Sequence, residues 1–233
     1  MSSGDNALAT AFSLIAGLDA DLVAIVGLSL RVSLTAVALG ALVGLPLGAA
    51  VALFRFPGRA SVAALLSAMM GLPPVVLGLM VYLALSRSGP LGVFGLLFTP
   101  GAMIIAQFFL VIPIIASLSR QVVEDLWADY EEPLRSLGAG PGRALPTLLW
   151  DGRFSLLTAV LAGFGRASAE VGAVMIVGGN IDQVTRVMTT AIALETSKGN
   201  LELALGLGIV LLGLSLGVNL LAFAGSAAAR RLG

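Results

Sequence analysis

The run from Leu22 to Phe54 carries one charge, Arg31, among otherwise apolar or small residues. At ~1.5 Å of rise per residue, a helix of that length exceeds the ~30 Å hydrocarbon core of a bilayer. It must therefore tilt or bend, and Pro46 marks the bend point. Four further apolar runs follow, at about Ala60–Leu85, Ala102–Leu118, Phe154–Val177 and Leu201–Phe223. Soluble domains carry roughly a quarter charged residues, whereas this chain is 11% charged and 58% hydrophobic. These features predict an all-α integral membrane protein with five transmembrane helices. They form a single membrane domain over residues 1–233, with spans at about 22–54, 60–85, 102–118, 154–177 and 201–223.

Within the spans, small and irregular residues carry the information. Gly40, Gly44 and Gly48 recur every four residues on one face of the first span. Such a stripe lets another helix approach closely, or else lines a pore. The second span holds Gly71-Leu72-Pro73-Pro74. Two prolines remove two backbone donors, so the helix kinks or breaks there. A break is tolerated in lipid only where it faces protein or a water-filled cavity. Gln107 in the third span fits a helix–helix hydrogen bond. Arg31, in the first span, is expected to face protein or water. Arg166 and Glu170 lie four residues apart on the fourth span, on one helical face if the helix is continuous. They are read either as a structural ion pair or as groups beside the transport path. Arg31 and Asn180 are further pathway candidates.

Between the third and fourth spans lies a long polar stretch, Arg120 to Arg153. It holds Glu124, Asp125, Asp129, Glu131, Glu132 and Asp151, six of the chain's 13 acidic residues. A hydrophobic protein does not keep a loop this long and charged without a use for it. The stretch is expected to dock a soluble partner at the membrane surface. Arg55, Arg59, Arg120, Arg135, Arg143, Arg153, Arg230 and Arg231 fall on that side, against Arg87, Arg186 and Lys198 on the other. The positive-inside rule then puts the stretch and the C-terminus in the cytoplasm and the N-terminus outside. Residues 7–18 are expected to form an amphipathic lead-in, since a cationic start is missing and Asp5, Asp19 and Asp21 flank them.

Several chemistries are excluded. There is no Cys and no His, which removes disulfides, thiolate or imidazole metal sites and His or Cys catalysis. Net charge is zero, so nothing points to nucleic acid. No G-x4-GK[ST] stretch is present, so the chain is not itself an ATPase.

Glu132-Pro133-Leu134, three residues and then Gly138 resembles the E-A-A-x3-G core of the cytoplasmic loop in permease subunits of ABC importers. Pro133 and Leu134 replace the two alanines, and Trp150-Asp151 stands where the family carries Leu-Pro. Gly163 to Ala173, Val177-Gly178-Gly179-Asn180-Ile181 and Ala193-Leu194-Glu195-Thr196-Ser197-Lys198-Gly199 resemble the permeases for sulfate, molybdate and tungstate. The second and third of these are most similar to the tungstate branch, as are Ser86 to Gly92 and Phe98-Thr99-Pro100. The resemblance implies the type I importer permease fold, with a short helix, a turn at Gly138 and a second helix in the coupling loop. It implies that Glu131, Glu132, Arg135, Gly138 and Ala139 couple to an ATPase. The acidic residues at 124–132 would then lie early in the first short helix, where the dipole favours them. It further implies a homodimer in the inner membrane, contacts with lipid, ABC ATPase subunits that use ATP, and an extracytoplasmic substrate-binding protein. No cofactor would be bound by this chain, and transport would proceed by alternating access. An ion-coupled secondary transporter is the alternative; it would use intramembrane carboxylates and an inverted repeat. Glu170 is the one clear mid-span carboxylate, and no repeat is evident. A membrane-embedded enzyme lacks catalytic parts here.

Overall fold

The computed structural model describes residues 13, 16, 17 and 19–232, which form helices and turns with no strand among them. The expected lead-in at 7–18 lies mostly outside the described residues, as do the side chains of Arg230 and Arg231. Helix α1 (Ala20–Leu53) is continuous through Pro46. Asp19 caps its start, with Oδ1 accepting from Asp21 N and Leu22 N at 3.1 Å each. Helices α2 (Arg59–Met69) and α3 (Pro74–Leu85) meet at a bend of 102°. Pro74 forces the residue before it out of the helical region, and Pro73 is extended, with ψ 122°. The chain therefore has to turn there. A 3₁₀ turn at Gly92–Phe94 leads to α4 (Pro100–Ser136), and α5 (Pro141–Asp151) follows. Next come α6 (Arg153–Ser168) and α7 (Gly172–Gly178), bent by 59°, then α8 (Met188–Lys198) and α9 (Leu201–Leu232).

Three helices are long and apolar enough to cross a membrane: α1, α4 and the Leu201–Leu220 part of α9. Counting each bent pair as one span raises the number to as many as five. The chain is thus an all-α, multi-pass membrane protein. The third span differs from expectation. It does not end at Leu118, because α4 runs on through Ser136 as one helix of 37 residues. Most of the first half of the polar stretch is therefore helix rather than loop.

The chain divides into two compact units. One comprises residues 1–36, 73–107 and 167–220. Here α3 and α7, the second halves of the two bent spans, pack through small residues. A Cβ added at Gly78 would lie 2.7 Å from Ala173 Cα, and one at Gly172 would lie 2.7 Å from Val75 Cγ2. Leu22, Ile25, Met188, Ala191 and Leu207 form a buried cluster. Ser29 Oγ ties α1 to the start of α8, accepting from Met188 N at 2.7 Å and donating to Ile25 O at 2.7 Å.

The other unit comprises 37–72, 108–166 and 221–233. Its spine is the glycine stripe of α1 packed on α4. Added Cβ atoms at Gly40 and Gly44 would meet Val111 at 2.9 Å and Ile115 at 3.1 Å. At Gly48 the Ala116 carbonyl oxygen would be only 2.2 Å away. Ser119 Oγ donates to Leu45 O at 2.9 Å on the same contact. Below it, Ala49, Ala52, Leu53, Val123, Ala144 and Leu148 are buried together.

Candidate functional site

The polar end of α4 and the turn after it gather the residues expected to couple. Glu131, Glu132 and Arg135 lie on the last turns of α4. Glu131 pairs with Arg135 at 2.7 Å, and Glu132 is exposed. Gly138 then takes φ 76°, in the left-handed region. Its N–H donates to Arg135 O at 3.0 Å, and Ala139 N donates to Leu134 O at 2.8 Å. These are the two bonds of a Schellman closure, which needs a residue without a steric penalty at positive φ. Leu137, at the corner, is 82% exposed. Pro141 opens α5, which returns so that Leu148 buries against Val123 while Trp150 stays 72% exposed. Tyr130 donates to Asp151, and this hydrogen bond raises the phenol's pKa.

The acidic residues are not where the dipole argument placed them. They lie in the C-terminal half of α4, where that dipole disfavours negative charge. Cations offset it instead. Glu124 accepts from Arg59 and from Arg120 at 2.6 Å each. Arg59 also donates to Val51 O at 2.7 Å and Ala52 O at 2.9 Å, so one guanidinium joins the end of α1 and the start of α2 to α4. Sequence reading counted Arg59 only among the cations that set the orientation. The Arg120–Glu124 spacing of four was the available signal.

In the other unit, Glu170 sits in the break between α6 and α7 and is 3% exposed. Helix α6 ends at Ser168, so Arg166 and Glu170 do not share one continuous helical face. The break has a local cause. The Glu170 carboxylate accepts from Ala173 N at 2.9 Å, capping α7, while its carbonyl accepts from Thr189 Oγ1 at 2.7 Å. A side chain that satisfies backbone donors this way starts a new helix rather than continuing the old one. A small cavity adjoins it, lined in part by Ser29, Ser33, Gln107, Glu170 and Thr189. Gln107 Nε2 donates to Ala167 O at 3.0 Å, the helix-bridging bond expected of it, while its Oε1 is buried without a protein partner.

The remaining candidates stand apart. Arg31 is exposed on α1, and Asn180 has φ 50° just after α7. Phe98 and Gln183 also take positive φ, at 61° and 55°. Phe98 N donates to Val177 O at 3.0 Å, and Thr185 Oγ1 closes the 178–185 turn by donating to Gly178 O at 2.6 Å. Beyond it, Glu195 accepts from Lys198 at 2.9 Å and Asn200 at 3.0 Å. The Lys198 hydrogen bond, with help from Asn200 and Arg186, holds its carboxyl below the usual glutamate value despite burial. No group of described residues could hold a metal ion.

No family profile matches the chain. Curated relatives do match, over most of its length. A protein of Haloferax volcanii described as a probable anion ABC transporter permease is 46% identical over 205 residues, 86% of this chain and 88% of the relative. The chain belongs to the ABC transporter permease family. A tungstate uptake system permease of Peptoclostridium acidaminophilum is 40% identical, covering 90% of this permease and 92% of its own length. The tungstate uptake system permease of Campylobacter jejuni is 38% identical, over 68% and 66%.

Proposed function

We propose that this chain is the transmembrane permease subunit of an ATP-driven importer of oxyanions, with tungstate as its substrate. The observation that carries the substrate is the 40% identity to a tungstate uptake permease across 90% of the chain. The permease takes the anion from an extracytoplasmic binding protein and releases it to the cytoplasm by alternating access. ABC ATPase subunits hydrolyse the ATP; the permease is non-catalytic. It works as a homodimer in the inner membrane, because two equivalent ATPases present two equivalent docking surfaces. Glu131, Glu132, Arg135, Gly138 and Ala139 form its docking turn, supported by the exposure of Glu132 and Leu137 and the rigid closure at Gly138. The N-terminus lies outside and the C-terminus in the cytoplasm, in line with the positive-inside rule. Arg166, Glu170, Asn180 and Arg31 are the groups of this chain proposed to act on the anion's path.

The test is uptake by the reconstituted assembly of permease, ATPase and binding protein. Tungstate should enter only with ATP and should stimulate ATP hydrolysis more than molybdate or sulfate does. A stronger response to molybdate or sulfate would reassign the substrate. Uptake driven by an ion gradient without ATP would remove the reading altogether. A Cys at Gly140 should be labelled only from the cytoplasm and one at Gly199 only from outside; the reverse would overturn the orientation.

A further inference from the structure

A groove runs along the second unit where α5 gives way to α6. It is lined by Leu45, Leu149, Leu156, Leu157 and Val160, with Arg153 as the one charged side chain, and has a volume of about 240 Å³. Its wall is aliphatic, and Leu157 is 37% exposed within it. Arg153, the first residue of α6, is held in place by its neighbours. Its Nη1 donates to Trp150 O at 2.8 Å. Its guanidinium carbon lies 4.9 Å from the Trp150 ring centroid and 4.5 Å from that of Phe154. Such aromatic contacts fix a cation without neutralising it. Among the described residues no carboxylate pairs with it; the nearest in sequence, Asp151, accepts from Tyr130.

We propose that this groove binds one anionic phospholipid, with an acyl chain along the leucines and the headgroup phosphate on Arg153. Three features converge on that occupant. The groove begins where the polar stretch ends and the apolar fourth span starts, the level at which headgroups lie. Exposed Trp150 and half-buried Phe154 flank it, as aromatic side chains do at a membrane interface. A lone cation at the mouth of an apolar slot complements a molecule with one charged end and one apolar tail. A free phosphate would satisfy Arg153 but leave the aliphatic wall bare. The lipid would tie α5, and so the turn at Gly138, to the bilayer.

The chain's only tryptophans are Trp127 and Trp150, so Trp127→Phe leaves Trp150 as a local reporter. The full chain is reconstituted in phosphatidylcholine vesicles, and brominated phosphatidylglycerol or brominated phosphatidylcholine is titrated in. Phosphatidylglycerol should quench Trp150 with an apparent affinity about fivefold higher, the ratio for ~1 kcal/mol from one arginine at an anionic surface. Arg153→Gln should reduce that ratio to about one, Arg153→Lys should keep most of it, and Leu157→Phe should block binding by filling the slot. Sodium phosphate at the same concentration should not compete. In parallel, phosphatidylglycerol should raise the unfolding temperature of the unsubstituted chain in detergent more than phosphatidylcholine does, so the result does not depend on the Trp127 variant folding. Equal quenching by both lipids, a preference that survives Arg153→Gln, competition by phosphate alone, or no quenching because a second copy covers the groove would each overturn the proposal.

Discussion

Gly48→Ala adds one methyl group where α1 and α4 are closest. The new Cβ would lie 2.2 Å from Ala116 O, 2.8 Å from Ser119 Cβ and 2.9 Å from Arg120 N. Two of those atoms are backbone, so no change of rotamer relieves the clash. Moving from 2.2 Å to an ordinary 3.4 Å contact requires about 1.2 Å of helix separation. Overpacking of this kind costs ~1–3 kcal/mol. The separation would also loosen the Ser119–Leu45 hydrogen bond, worth ~1 kcal/mol. The expected loss is therefore ~2–4 kcal/mol in all. Gly27→Ala is the control: it lies on the same helix, nothing is within 4 Å of its added Cβ, and removing a helical glycine should leave stability unchanged or raise it by up to ~1 kcal/mol. Gly44→Ala should fall between them, since its nearest contacts, Ile115 Cβ and Cγ2 at 3.1 Å and Ala116 N at 3.3 Å, need only a few tenths of an ångström of relief. Unfolding of the purified chain in mixed micelles, followed by circular dichroism, measures all three. If Gly48→Ala is as stable as Gly27→Ala, the close contact between α1 and α4 does not exist in the membrane.

Gly138→Val should cost ~1–2 kcal/mol through backbone strain alone, since nothing lies within 4 Å of its added Cβ; co-purification with the ATPase and ATP-driven uptake should fall while membrane insertion persists, and Gly138→Asn should retain both. Glu170→Gln keeps an acceptor for Ala173 N, whereas Glu170→Leu leaves that donor buried and unmatched, at ~1–3 kcal/mol; equal thermal stability of the two variants would remove the capping role. The folded-state pKa of Glu195 lies below its unfolded value of 4.5, chiefly through Lys198. Its stabilising effect is therefore complete above the unfolded value and lost as pH falls through the folded one. The unfolding-temperature gap between the parent and Glu195→Gln should hold while pH stays above the unfolded value of 4.5 and close as pH falls through the lower folded one; a gap independent of pH would exclude a charge effect.

What the sequence disclosed followed the range of the forces involved. The apolar runs announce membrane helices because burial in lipid depends on composition. The break at Pro73-Pro74 is written in covalent geometry, and it appears as a 102° bend. Gly138 was legible because only a positive φ explains a glycine closing a helix, and the glycine stripe of α1 was legible through its spacing. The continuation of α4 through Ser136 was hidden. A charged segment is compatible with either loop or helix, and only the four-residue pairs Arg120–Glu124 and Glu131–Arg135 hinted at the latter. Arg59 was out of reach for another reason: its partner Glu124 is 65 residues away in sequence.

The break at Glu170 is the most instructive of the hidden features, because nothing at Ala169-Glu170-Val171 is a helix breaker. It forms because a buried carboxylate finds the N–H of Ala173 and a threonine hydroxyl finds the freed carbonyl. Open backbone at membrane depth survives only where protein or water satisfies it. Here the side chains satisfy it, and α3, itself the second half of a broken span, closes over it through Gly78 and Val75. The second halves of two interrupted spans thus cover each other within one unit. The other unit is built of unbroken helix contacts and an arginine clamp.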